Sequence, residues 1–305
     1  MSSLSLGVIG LGSMGMGIAK NALKAGLNVK GFDVFEGARL SFRDAGGTMA
    51  ASAAEAAGNV DVLLLMVVNA AQAREVLFGE GRAAEAAPRG ALVMLCCTIA
   101  PKDAREIGLA LEAQGLLFLD APVSGGRAGA EAGTLTIMAA GSEEAFSKAR
   151  PVLDAIAGEV YEVGSEPGLG ATYKVVHQLA AGVHLVAAAE VMAFGAKAGC
   201  DPDILFDIVS KSSGRSWMFT DRVPHILNED YTPRSSVDIF VKDLGLVLQT
   251  GSDTKTPLPI ASAAHQLLLA ASSMGHGRID DSAVVKVYES ATGVPVRRRV
   301  RTAAE

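Results

Sequence analysis

A glycine turn set between two short apolar runs limits the fold of this chain more than any other feature. Residues 6–9 are apolar and read as a buried parallel strand. Gly10-Leu11-Gly12-Ser13-Met14-Gly15 follows, then a helical pattern as far as Ala25, which Gly26 stops. Residues 29–32 form a second strand, and Asp33 ends it. Strand, glycine turn, helix, strand and an acidic residue about twenty positions on is the context in which G-x-G-x-x-G binds a dinucleotide. Gly10 permits the tight turn, Gly12 lets the backbone approach the pyrophosphate, and Gly15 lets the helix pack close to the strand. Leu11, Ser13 and Met14 complete the loop, whose N–H groups and helix dipole face the phosphates. Asp33 accepts hydrogen bonds from the adenosine ribose and repels a 2′-phosphate, so the cofactor expected is NAD rather than NADP. The alternative is a tight turn in an α/β domain that binds nothing.

The alternation continues with strands at 60–68, 91–95 and 116–119 and helices at 71–78 and 101–114. Further strands at 134–140 and 159–163 complete a mostly parallel sheet of Rossmann type with both faces covered. Ligands gather at the carboxyl ends of such strands. Those ends carry Val68 and Asn69, Thr98, and Asp120 with the turn that follows it. Thr98 is placed to touch the nicotinamide or its ribose; its other reading is an N-cap for the helix that Pro101 opens. Ser124-Gly125-Gly126 sets successive N–H groups beside a hydroxyl, which suits a carboxylate, although an ordinary glycine turn reads the same way.

The cysteines Cys96, Cys97 and Cys200 have neither metal-ligand nor disulfide-framework spacing. They read as reduced thiols of a cytoplasmic protein. The apolar run at 4–19 lacks the basic start of a signal peptide, and no stretch is long enough to span a bilayer without a charge or several glycines. A net charge of −6 argues against nucleic acid and anionic membranes as partners. The Arg-rich last residues read as a flexible tail, 294–305.

Residues 168–199 read as one long helix, opened by Gly168 and Gly170 and stopped by Gly199 and Pro202. It is apolar nearly all round and is expected to be buried on most sides. Lys174, His177 and Gln178 share one face at i, i+3 and i+4. The plain reading is a lysine that snorkels to the surface beside two satisfied core polar groups. Helices at 202–210, 235–250, 259–273 and 280–288 follow, with a polar loop at 212–217. Lys242 and Asp243 lie inside an apolar pattern, as either a salt bridge or part of a site. The expected division is a Rossmann domain at 1–164 and an all-helical domain for substrate and oligomer contacts at 165–293.

Four motifs in order resemble the β-hydroxyacid dehydrogenase family, over nearly the whole chain: the loop from Gly10 to Gly15, Asp120-Ala-Pro-Val-Ser-Gly-Gly126, Gly168-Leu-Gly-Ala-Thr-Tyr-Lys174, and Lys242-Asp243-Leu244. The resemblance implies that Lys174 is the catalytic acid/base and that Ser124, Gly125 and Gly126 hold the substrate carboxylate. It implies cofactor contacts for Thr98 and Lys242, and a homodimer or homotetramer.

Most members of that family carry two asparagines where this chain has His177 and Gln178. With the stretches around Trp217 and Tyr231, the exchange looks like a branch that acts on sugar acids. It implies oxidation of L-threonate at C2 to 2-dehydro-L-erythronate, with His177 and Gln178 as substrate-binding residues. Longer side chains reach hydroxyls on C3 and C4 that an isobutyrate lacks. The remaining readings are another small hydroxy acid of the D-glycerate or 3-hydroxyisobutyrate type, imine reduction, and a non-catalytic nucleotide-binding module.

Overall fold

The structure, a computed structural model, describes residues 4–298. The chain forms two compact units that divide between Val175 and Val176.

The first unit alternates strands and helices: β1 (Ser5–Ile9), α1 (Ser13–Lys24), β2 (Asn28–Phe32), α2 (Glu36–Asp44), β3 (Thr48–Met49), α3 (Ala53–Ala57), β4 (Val62–Leu65), α4 (Ala70–Phe78), α5 (Ala83–Ala86), β5 (Leu92–Leu95), α6 (Pro101–Glu112) and β6 (Leu117–Asp120). Next come β7 (Val123–Ser124), α7 (Gly126–Ala132), β8 (Leu135–Gly141), α8 (Glu143–Ile156) and β9 (Ala157–Gly164). The sheet order is β3-β2-β1-β4-β5-β6-β8-β7, with β9 paired to β8. Strands β1 to β6 pair in parallel, and β8 turns the sheet antiparallel against β6.

Period-two alternation assigns the core residues to the two faces of the sheet. Val62, Leu64, Leu92 and Met94 join one apolar cluster, and Leu63, Leu65, Val93 and Leu95 the other. Cys96 and Cys97 continue this alternation into opposite clusters. Burial pushes the Cys96 thiol well up, as suits packing rather than attack. Strand β4 is shorter than the apolar run at 60–68, because its parallel partner β1 ends at Ile9 opposite Leu65.

The second unit is helical. It comprises most of α9 (Leu169–Lys197), then α10 (Pro202–Lys211), α11 (Trp217–Leu227), α12 (Val237–Asp253) and α13 (Pro259–Ala271). A 3-10 turn (Asp281–Val284) and α14 (Val285–Thr292) follow. Helix α11 begins where the polar loop is expected to end, with Ser216 as its N-cap accepting from the Phe219 N–H. Helices α9 and α12 approach closely: a side chain at Gly182 would press on Leu244.

Two expectations need correction, on the burial of α9 and on the tail. The compact units divide after Val175, within α9, because the first turn of α9 packs on the strand ends. A Cβ at Gly170 would strike the carbonyls of Asp120 and Met138, and Ala171 sits in a core cluster of the sheet. Helix α9 is not buried on most sides: Val176, Val191 and Phe194 lie exposed along it. By length and composition α9 would also pass for a membrane span. Within the expected tail, residues 294–298 are held: Val296 is fully buried, its N–H donates to Glu289 Oε1, and the Arg298 N–H donates to the Leu227 carbonyl. Residues 299–305 lie outside the described residues.

Candidate active site

In the first unit the parallel register brings the expected cofactor residues to one edge of the sheet. Strands β2, β1, β4 and β5 are neighbours, and Asp33, Gly10, Met66 and Cys96 directly follow their last residues. Gly10 has φ +93, and a Cβ there would overlap the Met66 carbonyl oxygen. A Cβ at Gly15 would overlap the Gly10 carbonyl oxygen, so α1 lies against the turn. A side chain at Gly12 would meet nothing. Helix α1 starts there without a side-chain cap, leaving its first N–H groups, from Ser13 onward, to a ligand or water.

Asp33 is bound into the same turn. Its Oδ2 accepts from the Leu11 N–H at 2.7 Å and its Oδ1 from the Phe35 N–H at 2.9 Å. Each oxygen keeps a second lone pair for a ribose hydroxyl. Open space over Gly12, an uncapped helix start and an oriented carboxylate fit the pyrophosphate and ribose of a dinucleotide. Beside them Asn69 caps α4, accepting from the Gln72 N–H, while Gln72 Oε1 accepts from the Val68 N–H. Thr98 is half-buried but does not cap α6, whose N-cap is Ala100.

Asp120 is 1% exposed at the end of β6. Its Oδ2 accepts from the Ala171 N–H at 2.8 Å, in the first turn of α9. Burial raises its carboxyl to about 6, against the N–H groups of Ala171, Gly168 and Gly170, which pull it down. The helix start is thus tied to the sheet, and Lys174 follows one turn later. Lys174 is 5% exposed, so it does not snorkel. Gly125 and Gly126 both take left-handed backbone, at φ +119 and +60, and turn the chain after Ser124.

In the second unit Gln178 is buried, whereas His177 is largely exposed. Gln178 Nε2 donates to Asp243 Oδ2 at 2.5 Å, and His177 Nδ1 lies 2.9 Å from Gln178 Oε1. Lys242 Nζ lies 2.6 Å from Asp243 Oδ1. The Lys242–Asp243 pair is therefore a salt bridge, and it holds an expected substrate residue as well. Sequence reasoning missed two roles here, Asp120 as the anchor of α9 and Asp243 as the partner of Gln178. The signal for both was a carboxylate in an otherwise apolar pattern.

A Rossmann-type sheet with this edge, joined to a helical unit, defines a nicotinamide-dependent dehydrogenase. Residues 5–164 match the NAD binding domain of 6-phosphogluconate dehydrogenase, and residues 168–288 match the NAD-binding domain of NADP-dependent 3-hydroxyisobutyrate dehydrogenase. The chain is 52% identical to the L-threonate dehydrogenase of Cupriavidus necator over 286 residues, which are 94% of this chain and 96% of that protein. The L-threonate dehydrogenase of Escherichia coli strain K12 is 49% identical over 95% of this chain and 97% of its own length. A crystal structure of 3-hydroxyisobutyrate dehydrogenase from Salmonella typhimurium, 50% identical, superposes with a TM-score of 0.88 over 93% of this chain and all of that one. The chain belongs to the β-hydroxyacid dehydrogenase family and is an NAD-dependent hydroxyacid dehydrogenase.

Proposed function

We propose that this dehydrogenase oxidises L-threonate at C2 to 2-dehydro-L-erythronate. The observation that carries the chemistry is the burial of Lys174 on a helix start anchored to the sheet by Asp120. The relatives named L-threonate dehydrogenase support the choice of substrate. NAD, bound over Gly12 to Gly15 with its ribose on Asp33, supplies the acceptor for the hydride from C2. Ser124, Gly125 and Gly126 hold the carboxylate. Lys174, as the neutral amine, takes the C2 hydroxyl proton, and as the ammonium returns it in the reverse direction. His177 and Gln178 bind the hydroxyls beyond C2. Val68, Asn69, Thr98 and Lys242 contact the cofactor.

Steady-state NADH formation with L-threonate, D-threonate, D-glycerate and 3-hydroxyisobutyrate, each with NAD and NADP, tests the reading. Preference for L-threonate with NAD is expected. Preference for D-glycerate or 3-hydroxyisobutyrate would keep the chemistry and discard the substrate. Lys174→Ala is expected to lower kcat by about 100-fold or more while NAD still binds, since it removes the acid/base group.

The protein acts as a homodimer or homotetramer in the cytoplasm. Val176, Ala180, Ala187, Val191 and Phe194 lie exposed at intervals of three to four residues or their multiples along α9, as a helix covered by a second copy requires. Phe194 is 74% exposed, and Phe194→Asp is expected to shift the mass in light scattering toward the monomer.

A further inference from the structure

The hydrogen bonds at the start of the second unit have a direction. A carboxylate only accepts, so the contact of Gln178 Nε2 with Asp243 Oδ2 at 2.5 Å fixes which end of the amide faces Asp243. Asp243 is itself 2% exposed and is held from its other oxygen by Lys242, at 2.6 Å. With its NH2 group committed, the amide presents its oxygen to His177, whose Nδ1 lies 2.9 Å away. An amide oxygen also only accepts, so Nδ1 must carry the proton. A neutral imidazole has one such proton, and Nε2 then carries a lone pair.

We infer that Asp243 is a positioning residue which, through Gln178, sets His177 in its Nδ1-protonated tautomer, so that Nε2 accepts a hydrogen bond from a substrate hydroxyl beyond C2. This deepens the hydroxyacid reading above and rests on it. The relay reads the substrate as a donor: acids with a hydroxyl on C3 or C4 satisfy it, and an acid with a methylene or methyl group there does not. A site that pairs a hydroxyl disfavours the analogue lacking it, less steeply where water reaches the pairing group, as it does at His177.

The test compares the wild type, Asp243→Asn, and the double variant Gln178→Glu/Asp243→Asn. Asparagine at position 243 can turn either its oxygen or its NH2 group to Gln178, so it no longer fixes the amide. In the double variant the asparagine NH2 donates to the carboxylate introduced at position 178, whose second oxygen again accepts from His177 Nδ1. The readout is the ratio of kcat/KM for L-threonate to that for 2-hydroxybutanoate of the same C2 configuration. Both substrates use the same cofactor, so any effect through Lys242 cancels. Asp243→Asn is expected to lower this ratio by about tenfold or more, through KM for L-threonate, and the double variant to recover most of it. A merely structural role would weaken both substrates alike and leave nothing to rescue; that result overturns the relay.

Nitrogen-15 spectra of the histidine-labelled apoenzyme, with His177 assigned by His177→Asn, read the tautomer with no substrate present. The Nδ1-protonated form is expected in the wild type and a mixture in Asp243→Asn. An Nε2-protonated His177 in the wild type overturns the relay even if L-threonate is oxidised well. The expected tautomer in an enzyme that does not oxidise L-threonate overturns instead the substrate reading, and with it the assignment of Nε2 to a substrate hydroxyl.

Discussion

The two compact units bury polar side chains in different ways. In the first, the buried polar side chains among the described residues are Asn21, Asp120 and Lys174, and the rest of the core is apolar, in two clusters on the two faces of the sheet. Its ligand edge is made largely of backbone, shaped by glycines. The second unit buries Gln178, Arg222, His225, Asp243, Asp280, Asp281 and Ser282. Arg222 donates to both oxygens of Asp281, at 2.6 and 3.2 Å, and also to Asp221. Asp280 accepts from the N–H groups of Arg234 and Ser282 and from the Ser282 hydroxyl, tying two loops to the 3-10 turn. Burial raises the Asp281 carboxyl to about 6 even with Arg222 beside it. An apolar core loses stability in proportion to the methylenes removed. An ionic core depends on complete sets of partners.

The largest expected effect follows from that contrast. Arg222→Leu strands Asp281 without its cation and is expected to lower stability by about 3–5 kcal/mol, read as a fall in the denaturant midpoint. Replacing both partners, Arg222→Met with Asp281→Leu, is expected to recover most of the loss, because a buried pair can be exchanged for apolar packing. A double variant as unstable as the single one would break the contrast. In the first unit Leu64→Ala opens a cavity in a fully buried strand and is expected to lower stability by about 2–5 kcal/mol, with no second substitution on the sheet that restores it cheaply.

Asp120 gives a smaller effect with a definite sign. Its folded pKa of about 6 lies above the ordinary carboxylate value of 3.8. Its contribution to stability is therefore fully present below about pH 4 and is lost as pH rises through 6. One such proton gives a slope of at most about 1.4 kcal/mol per pH unit. Unfolding followed across this window is expected to show a shallower decline in Asp120→Asn than in the wild type, the remainder belonging to Asp281. An unchanged slope would mean that Asp120 does not titrate there.

The same contrast explains what was legible in the sequence. The Rossmann sheet could be read because its strands are apolar runs and its turns are glycines; the loop at Gly10–Gly15 and Asp33 are where the pattern puts them. The short strands β3 and β7 escaped it, since two-residue pairings are set by neighbouring strands rather than by local composition. Helix α8 escaped as well, although Ser142, Glu143 and Glu144 form an N-terminal signature and Ser142 Oγ accepts from the Ala145 N–H. Lys174, His177 and Gln178 were recognisable from helical spacing. The roles of Asp120, which accepts from the Ala171 N–H, and of Asp243, which accepts from Gln178, were not, because each carboxylate lies more than fifty residues from its partner along the chain. Pairing at that range is a property of the fold, and one sequence does not display it.

The point at which α9 passes from one unit to the other falls between the residues proposed for the two tasks. Lys174 lies in the unit of the sheet and its nucleotide loop, while His177 and Gln178, three and four residues later, lie in the helical unit. Under the proposed roles, substitutions at 177 and 178 are expected to change which hydroxy acid is chosen while leaving the proton step in place.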